Sequence, residues 1–204
     1  MLHALTPRVI LHTAEMHSKS AAVTLGSMSA LLASSCLQTG RLPDGTLVTI
    51  RAIRPDDLEG MRRAFDGLSL ETRYLRFHAH MNDLSQQAWH YLTHVDGQDH
   101  LALVARVASR IVGVARFIRL EEAQDGAEIA FVVADDFQRR GLGRLLRGAL
   151  LVEAQRRGIR WFQATVLPDN AGIRRLLDAP PLGLVSDSGD QLVVRLARDL
   201  PCAS

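Results

Sequence analysis

Lysine is all but missing from this chain. Lys19 is the only one, so no Gly-Lys-Ser/Thr occurs and a P-loop is excluded. Cysteine is scarce as well: Cys36 and Cys202 have neither metal-site nor redox spacing. A domain of this size needs no disulfide, which fits a reducing cytoplasm. No stretch approaches the ~20 apolar residues that span a bilayer, so no membrane partner is expected. The formal charge of +2 at pH 7 demands no polyanion. The arginine-rich segment from 139 to 160 lacks the interleaved aromatics of a single-strand binder, so nucleic acid is not expected either. Nor is there a metal pattern. His90 and His94 have helical i, i+4 spacing, but Tyr91, Leu92 and Thr93 between them leave no His-Glu-x-x-His, and these two read, with His78, His80 and His100, as surface histidines.

What remains is a chain of 204 residues, 47% apolar, able to bury one substantial core. Residues 1–43, rich in Ser, Ala, Leu and Thr, read as an N-terminal extension, loosely ordered or docked on a partner. Ala21 to Ser35 resembles the apolar part of a signal peptide, but Gly26 and repeated serines weaken that. A single domain is expected over 44–204. Thr46 to Arg54 alternates as a strand, and Pro55-Asp56-Asp57 opens a short helix. Ser69 and Ser85 are N-caps for helices over 70–76 and 86–93. Leu101 to Val107 and Arg110 to Leu120 form a hairpin, and an acidic loop, 121–126, leads to a strand over 127–134. Leu142, Leu145, Leu146, Ala149 and Leu150 recur at helical spacing up to Arg157-Gly158. Ile159 to Leu167 reads as a strand buried on both faces, and 182–185 with 191–197 as a hairpin.

The most informative segment is Gln138-Arg139-Arg140-Gly141-Leu142-Gly143, set between the apolar run from Ile129 to Ala134 and the helix that follows. First-turn N–H groups have no intrahelical partner, and the helix dipole makes that end attractive to a diphosphate. Gly141 and Gly143 let a ligand approach the backbone closely, while Arg139, Arg140 and Arg144 add charge. A purely structural turn accounts for the glycines equally well, and a solvated helix face accounts for the arginines. The turn is not a dinucleotide fingerprint, because position 146 is Leu146 where a third glycine belongs and the turn falls late in the domain.

The order strand, Gln138-x-x-Gly141-x-Gly143, helix, strand, Asn170 resembles the cofactor half of the GNAT superfamily of N-acetyltransferases. Leu68 to Phe77 and Ala127 to Gln138 look like the GNAT domain of bacterial protein-lysine acetyltransferases. The likeness runs from about Leu47 to Asp199. It implies an α+β, three-layer α/β/α fold with a mixed, mostly antiparallel sheet, and acetyl-CoA as co-substrate. It implies an amine acceptor, a protein lysine or a small molecule, that attacks the thioester directly. The turn residues Gln138, Arg139, Arg140, Gly141, Leu142, Gly143 and Arg144, with Val132, Val133 and Ala134, would then bind the cofactor. An unpaired N–H on the strand carrying Val132 and Val133 would polarise the thioester carbonyl. A gap between that strand and Thr165-Val166 would admit pantetheine. Glu128 would take the acceptor's proton. Its alternative is a solvent-facing strand end paired with Arg116, and Glu121 and Glu122 stand in reserve.

Two departures accompany the resemblance. No tyrosine follows Asn170, so the family's usual acid for the leaving thiolate is missing, and Pro180-Pro181 must cut short the helix that Asn170 opens. Asn170 itself either contacts the cofactor or caps that helix. Tyr74, Phe77, Trp89 and Tyr91 line an acceptor groove or pack the core. A catalytically silent acetyl-CoA sensor is the rival function, and a homodimer is left open.

Overall fold

The computed structural model describes residues 38–196. The expectations for residues 1–37, including the signal-like segment and Cys36, and for Cys202, lie outside that span. In chain order the elements are β1 (Gln38–Arg41), β2 (Leu47–Ala52), α1 (Leu58–Asp66), α2 (Leu70–Phe77), α3 (Gln86–Thr93), β3 (His100–Val107), β4 (Arg110–Leu120), β5 (Ala123–Val133), α4 (Leu142–Arg156), β6 (Trp161–Thr165), α5 (Ala171–Leu177), β7 (Leu182–Asp187) and β8 (Gln191–Leu196). They form one eight-stranded sheet in the order β1-β2-β3-β4-β5-β6-β8-β7. Every neighbouring pair is antiparallel except β5 with β6.

Alternation along the strands divides the core in two. Leu103, Ala115, Phe117, Ala127 and Ile129 point to one face, where Leu142, Leu146, Leu150 and Ala154 of α4 cover them. Ala102, Val104 and Val114 point to the other, beneath Met61, Phe65, Phe77, Trp89 and Leu92 of α1–α3. The result is the expected three-layer α+β fold with a mixed sheet. Both serine caps form, with Ser69 Oγ accepting from Thr72 N and Ser85 Oγ from Ala88 N, each at 3.1 Å. Gly158, at φ +79°, takes the left-handed conformation that ends α4.

Several boundaries differ from expectation. Gln38–Arg41 pair with Val48, Thr49, Ile50 and Leu47 of β2, so the sheet begins ahead of the expected boundary between 43 and 44. The acidic loop shrinks to Glu121-Glu122, because the backbone of 123–126 continues β5. Arg119 holds this corner through Asp99, at 2.7 Å, and the carbonyls of Gln124 and Arg157. β6 is not buried on both faces. Phe162 and Ala164 enter the core, whereas Trp161 and Gln163 are only partly covered, because α1–α3 lie over β3 and β4 and stop short of β6.

Toward the other end of the sheet, Arg51 of β2 and Asp57 form a buried bidentate pair, 2.7 and 2.5 Å, with Arg54 N–H adding a third bond at 2.8 Å. Burial pushes the Asp57 carboxyl up, but the hydrogen bonds and the charge of Arg51 outweigh it and hold it below its ordinary value. Asp57→Ala leaves Arg51 buried and unpaired, and urea unfolding is expected to show a loss of about 3–5 kcal/mol. Since the folded value lies below the unfolded one of about 3.9, this stabilisation is full above that pH and disappears as pH falls through the native value. A urea midpoint unchanged by the substitution would contradict the assignment.

Candidate functional site

β5 keeps its pairing with β4 as far as Val133, but its pairing with β6 is confined to Gly126–Trp161, Ala127–Phe162 and Glu128–Gln163. Beyond Glu128 the two strands part. Ala134 N–H donates to Val112 O at 2.9 Å, so by alternation Val132 N–H also faces β4 while Val133 N–H faces the space vacated by β6. Of the two residues named from sequence, Val133 therefore presents its backbone to the gap. Its carbonyl lies on that side too and accepts from Gln138 Nε2 at 3.1 Å.

The chain then passes through a short 3₁₀ turn, Asp135–Phe137, and two left-handed residues, Arg139 at φ +58° and Gly141 at φ +92°, before entering α4. A side chain at Gly141 would be strained and would meet Pro43 Cδ at 3.3 Å. Gly141 is the N-cap and supplies no side-chain cap, while its carbonyl accepts from the N–H groups of Arg144 and Leu145. The amides of Leu142 and Gly143 are left at the open end of a fifteen-residue helix. Leu142 contributes only backbone there, because its side chain is wholly buried.

The polar side chains of the turn divide into two groups. Arg139 and Arg144 are exposed. Arg140, expected to add charge for phosphates, is committed elsewhere: Nε and Nη2 donate to Asp44 Oδ2 at 2.9 and 2.5 Å, and Nη1 to Asp136 O at 2.9 Å. The bonds from Thr46 and from Arg140 hold the Asp44 carboxyl down at about 2. Gln138 is also a brace, joining Val133 O to Thr72 Oγ1 at 3.1 Å each. Asp135 completes this link, accepting from Ser69 N, Ser69 Oγ and Thr72 Oγ1 at 2.9, 2.7 and 2.6 Å. The start of α2 is thereby tied to the end of β5 and to the turn. Asn170 Oδ1 caps α5 through Ile173 N–H at 3.2 Å. That helix lasts seven residues, and the guanidinium of Arg147 binds the carbonyls of Leu176, Ala179 and Pro180 where it ends. A Cβ at Gly143 would lie 3.5 Å from Leu176 Cδ2, an ordinary contact, so the packing of α5 on α4 leaves room for a side chain there.

Glu128 projects to the α1–α3 face, the parity of Val132. It is partly buried, and its charge acts on Arg76 at the end of α2 and on Tyr91 of α3. Arg116 has other partners than the carboxylate expected for it: Nη1 lies 3.1 Å from His100 Nε2, and Nη2 donates to Leu92 O at 3.2 Å. Arg116 is 4% exposed. Burial and the nearby Arg76 push it down to about 9, and burial with Arg116 pushes His100 down to about 3. A narrow cavity of about 50 Å³ runs between the sheet and α1–α3, touched by Arg76, Arg116, Ala130 and Val132. Of the aromatics proposed for a groove, Phe77 and Trp89 line this cavity and pack edge-on to Phe65 at 5.7 Å. Tyr91 lies against His100 at 4.8 Å and Tyr74 against His80 at 5.0 Å. His90 and His94 stack at 3.8 Å. Among the described residues no three metal-ligating side chains gather, and no helix is long and apolar enough to cross a membrane.

Asp135, Thr72, Arg76 and Arg116 were missed in the sequence as site residues. A signal existed for Arg116, a lone cation inside the apolar run of β4. None existed for Asp135, whose partners are more than 60 residues away.

Comparison with known proteins supports the same reading of the fold. The acetyltransferase (GNAT) family model matches residues 63–179. The acetyltransferase Pat of Mycolicibacterium smegmatis is 36% identical over 154 residues, covering 74% of this chain. The chain spans only 45% of that relative's length. An acetyltransferase of Pseudomonas aeruginosa is 34% identical over 165 residues, covering 76% of this chain and 87% of its own. The crystal structure of the GNAT domain of S. lividans PAT superposes with a TM-score of 0.70 at 30% identity, covering 78% of this chain and 94% of that one. With the family model spanning more than half of its residues and the turn at Gln138 to Gly143 inside the match, the chain belongs to the acetyltransferase (GNAT) family.

Proposed function

We propose that this protein transfers the acetyl group of acetyl-CoA to a primary amine, on a protein lysine or a small molecule. The parting of β5 from β6, next to an uncapped helix N-terminus, is the observation that carries the reading. In it the diphosphate of the cofactor sits on the amides of Leu142 and Gly143, within reach of Arg139 and Arg144. Arg140 and Gln138 hold the shape of the turn, and Ala134 ends the strand leading into it. Pantetheine enters the gap with its thioester carbonyl toward Val133 N–H, which stabilises the oxyanion as the acceptor attacks. Asn170, by starting α5, supports the far wall.

The acceptor's ammonium, with a reference pKa of about 10.4, first gives a proton to Glu128, directly or through water. The free amine then forms the C–N bond as the C–S bond breaks. The thiolate leaves with the electron pair and takes a proton from water, since no tyrosine follows Asn170. Glu128 releases the first proton to solvent before it takes the second from the tetrahedral nitrogen, so that of the two protons lost by nitrogen one matches the proton gained by the thiolate and one goes to bulk water.

Two variants test this scheme. Glu128→Gln is expected to lower acetyl transfer over a panel of primary amines by about 10²–10⁴-fold, with acetyl-CoA affinity by calorimetry little changed. Turnover in neither protein, with acetyl-CoA bound by both, would identify a cofactor sensor. Gly143→Asp places a carboxylate at the proposed anion site while suiting a helix N-terminus. It should weaken acetyl-CoA binding at least about tenfold without lowering Tm. Undiminished affinity would place the diphosphate elsewhere.

A further inference from the structure

We propose that Arg76 and Arg116 form a cationic wall beside Glu128 that favours the deprotonated, attacking form of the acceptor amine. The inference rests on the transfer reading above and adds a role for two residues that the family turn does not contain. Both guanidiniums line the cavity that reaches Ala130, Phe131 and Val132 of β5, the strand on which the thioester is placed. Arg116 sits at the floor, nearly fully buried. Its bonds go to an imidazole nitrogen and a backbone carbonyl, and among the described residues no carboxylate lies within 4.0 Å of it. Arg76 stands close enough to disfavour its charge.

The neighbours from every side decide the sign of the field. From α2 and its cap come Arg76 and His78, from α3 Tyr91, from β3 His100, from β4 Arg116 and from β5 Glu128. Burial holds Tyr91 protonated, and His78 and His100 are both displaced toward the neutral form, burial being the largest cause in each. Asp96, on the loop after α3, spends its Oδ1 on the N–H groups of Gln98, Asp99 and His100. Asp190, on the turn between β7 and β8, acts on His78. Asp96 and Asp190 keep their charges but do not line the cavity; among the described residues the charged groups that do are Arg76 and Arg116, with Glu128 diagonal to Arg116 across the β4–β5 pair.

In a site shielded from water, that imbalance disfavours an entering ammonium and favours the amine with its lone pair free. The same two charges favour the ionised form of Glu128, the form able to take a proton. Both effects act in one direction, because a nearby cation lowers the pKa of an ammonium and of a carboxylic acid alike. Removing a cation raises both, so the rise of rate with pH moves to higher pH. A side chain with a merely structural role would lower the rate at every pH and leave the midpoint in place.

The test measures kcat against pH from 6 to 8.5, below the value of about 9 to which burial and Arg76 push Arg116, with the ε-amine of an Nα-acetylated lysine amide as acceptor and saturating acetyl-CoA. Arg76→Gln and Arg116→Met are each expected to move the midpoint upward by about one pH unit, an approximately tenfold loss of rate at pH 7 that recovers above the new midpoint. Arg76→Lys keeps the charge and should keep the wild-type midpoint. Should Arg116→Met fail to fold, the Gln and Lys variants at the less buried position 76 decide the matter. Midpoints unmoved in folded variants that still bind acetyl-CoA would overturn the inference and leave the transfer reading intact. No turnover by wild-type protein with any amine would overturn the transfer reading, and this inference with it.

Discussion

The constraint on which everything else depends is the separation of two parallel strands. β5 and β6 share only three register pairs and then diverge, which leaves backbone N–H groups of β5 facing open space within an otherwise continuous sheet. A buried amide without an acceptor is costly, so this arrangement is sustained by its surroundings. From Ala127 to Val133 β5 stays paired to β4 on its other side. Its end is pinned by Ala134 N–H to Val112 O and by the side chain of Gln138 to Val133 O. The gap is a built feature of the sheet rather than a frayed edge, since core residues cover the strand on both faces.

Around it the molecule divides its labour between two faces. The α4 side supplies a helix end whose first amides point outward and where Gly141 lets Pro43 approach closely. The α1–α3 side holds Glu128 of β5 and an apolar cavity lined by Arg76 and Arg116. The two sides are joined by Asp135, which ties Ser69 and Thr72 at the start of α2 to the turn before α4. Cofactor-side and acceptor-side geometry are thus fixed by one set of short hydrogen bonds.

Much of this was legible in the residues because local patterns and the fold agree. The serine caps, the helical stripe of Leu142, Leu146 and Leu150, and the Gly141-x-Gly143 turn are each specified within a few positions, and each occurs where expected. Partnerships across long separations were not legible. Arg140 is near the phosphate turn in sequence, yet its partner Asp44 lies 96 positions away, and only folding shows that its charge is already spent. Arg116 lies opposite Ala130 on β4; nothing in its neighbours announced His100 and Leu92 O as its partners. The extent of β5 was misjudged because Gln124 and Asp125 look like loop residues, whereas the strand runs through them as a bulge, held by the pairing of Ala123 with Leu120, by Arg160 N–H donating to Asp125 O at 2.7 Å and by Trp161 against Gly126.

The most direct test is a crystal structure of the protein with acetyl-CoA. The account places diphosphate oxygens about 3 Å from the N–H groups of Leu142 and Gly143, and the thioester oxygen at a similar distance from Val133 N–H, between β5 and β6. Density for the cofactor at any other place, or a turn left empty while the ligand is present at saturating concentration, would contradict it.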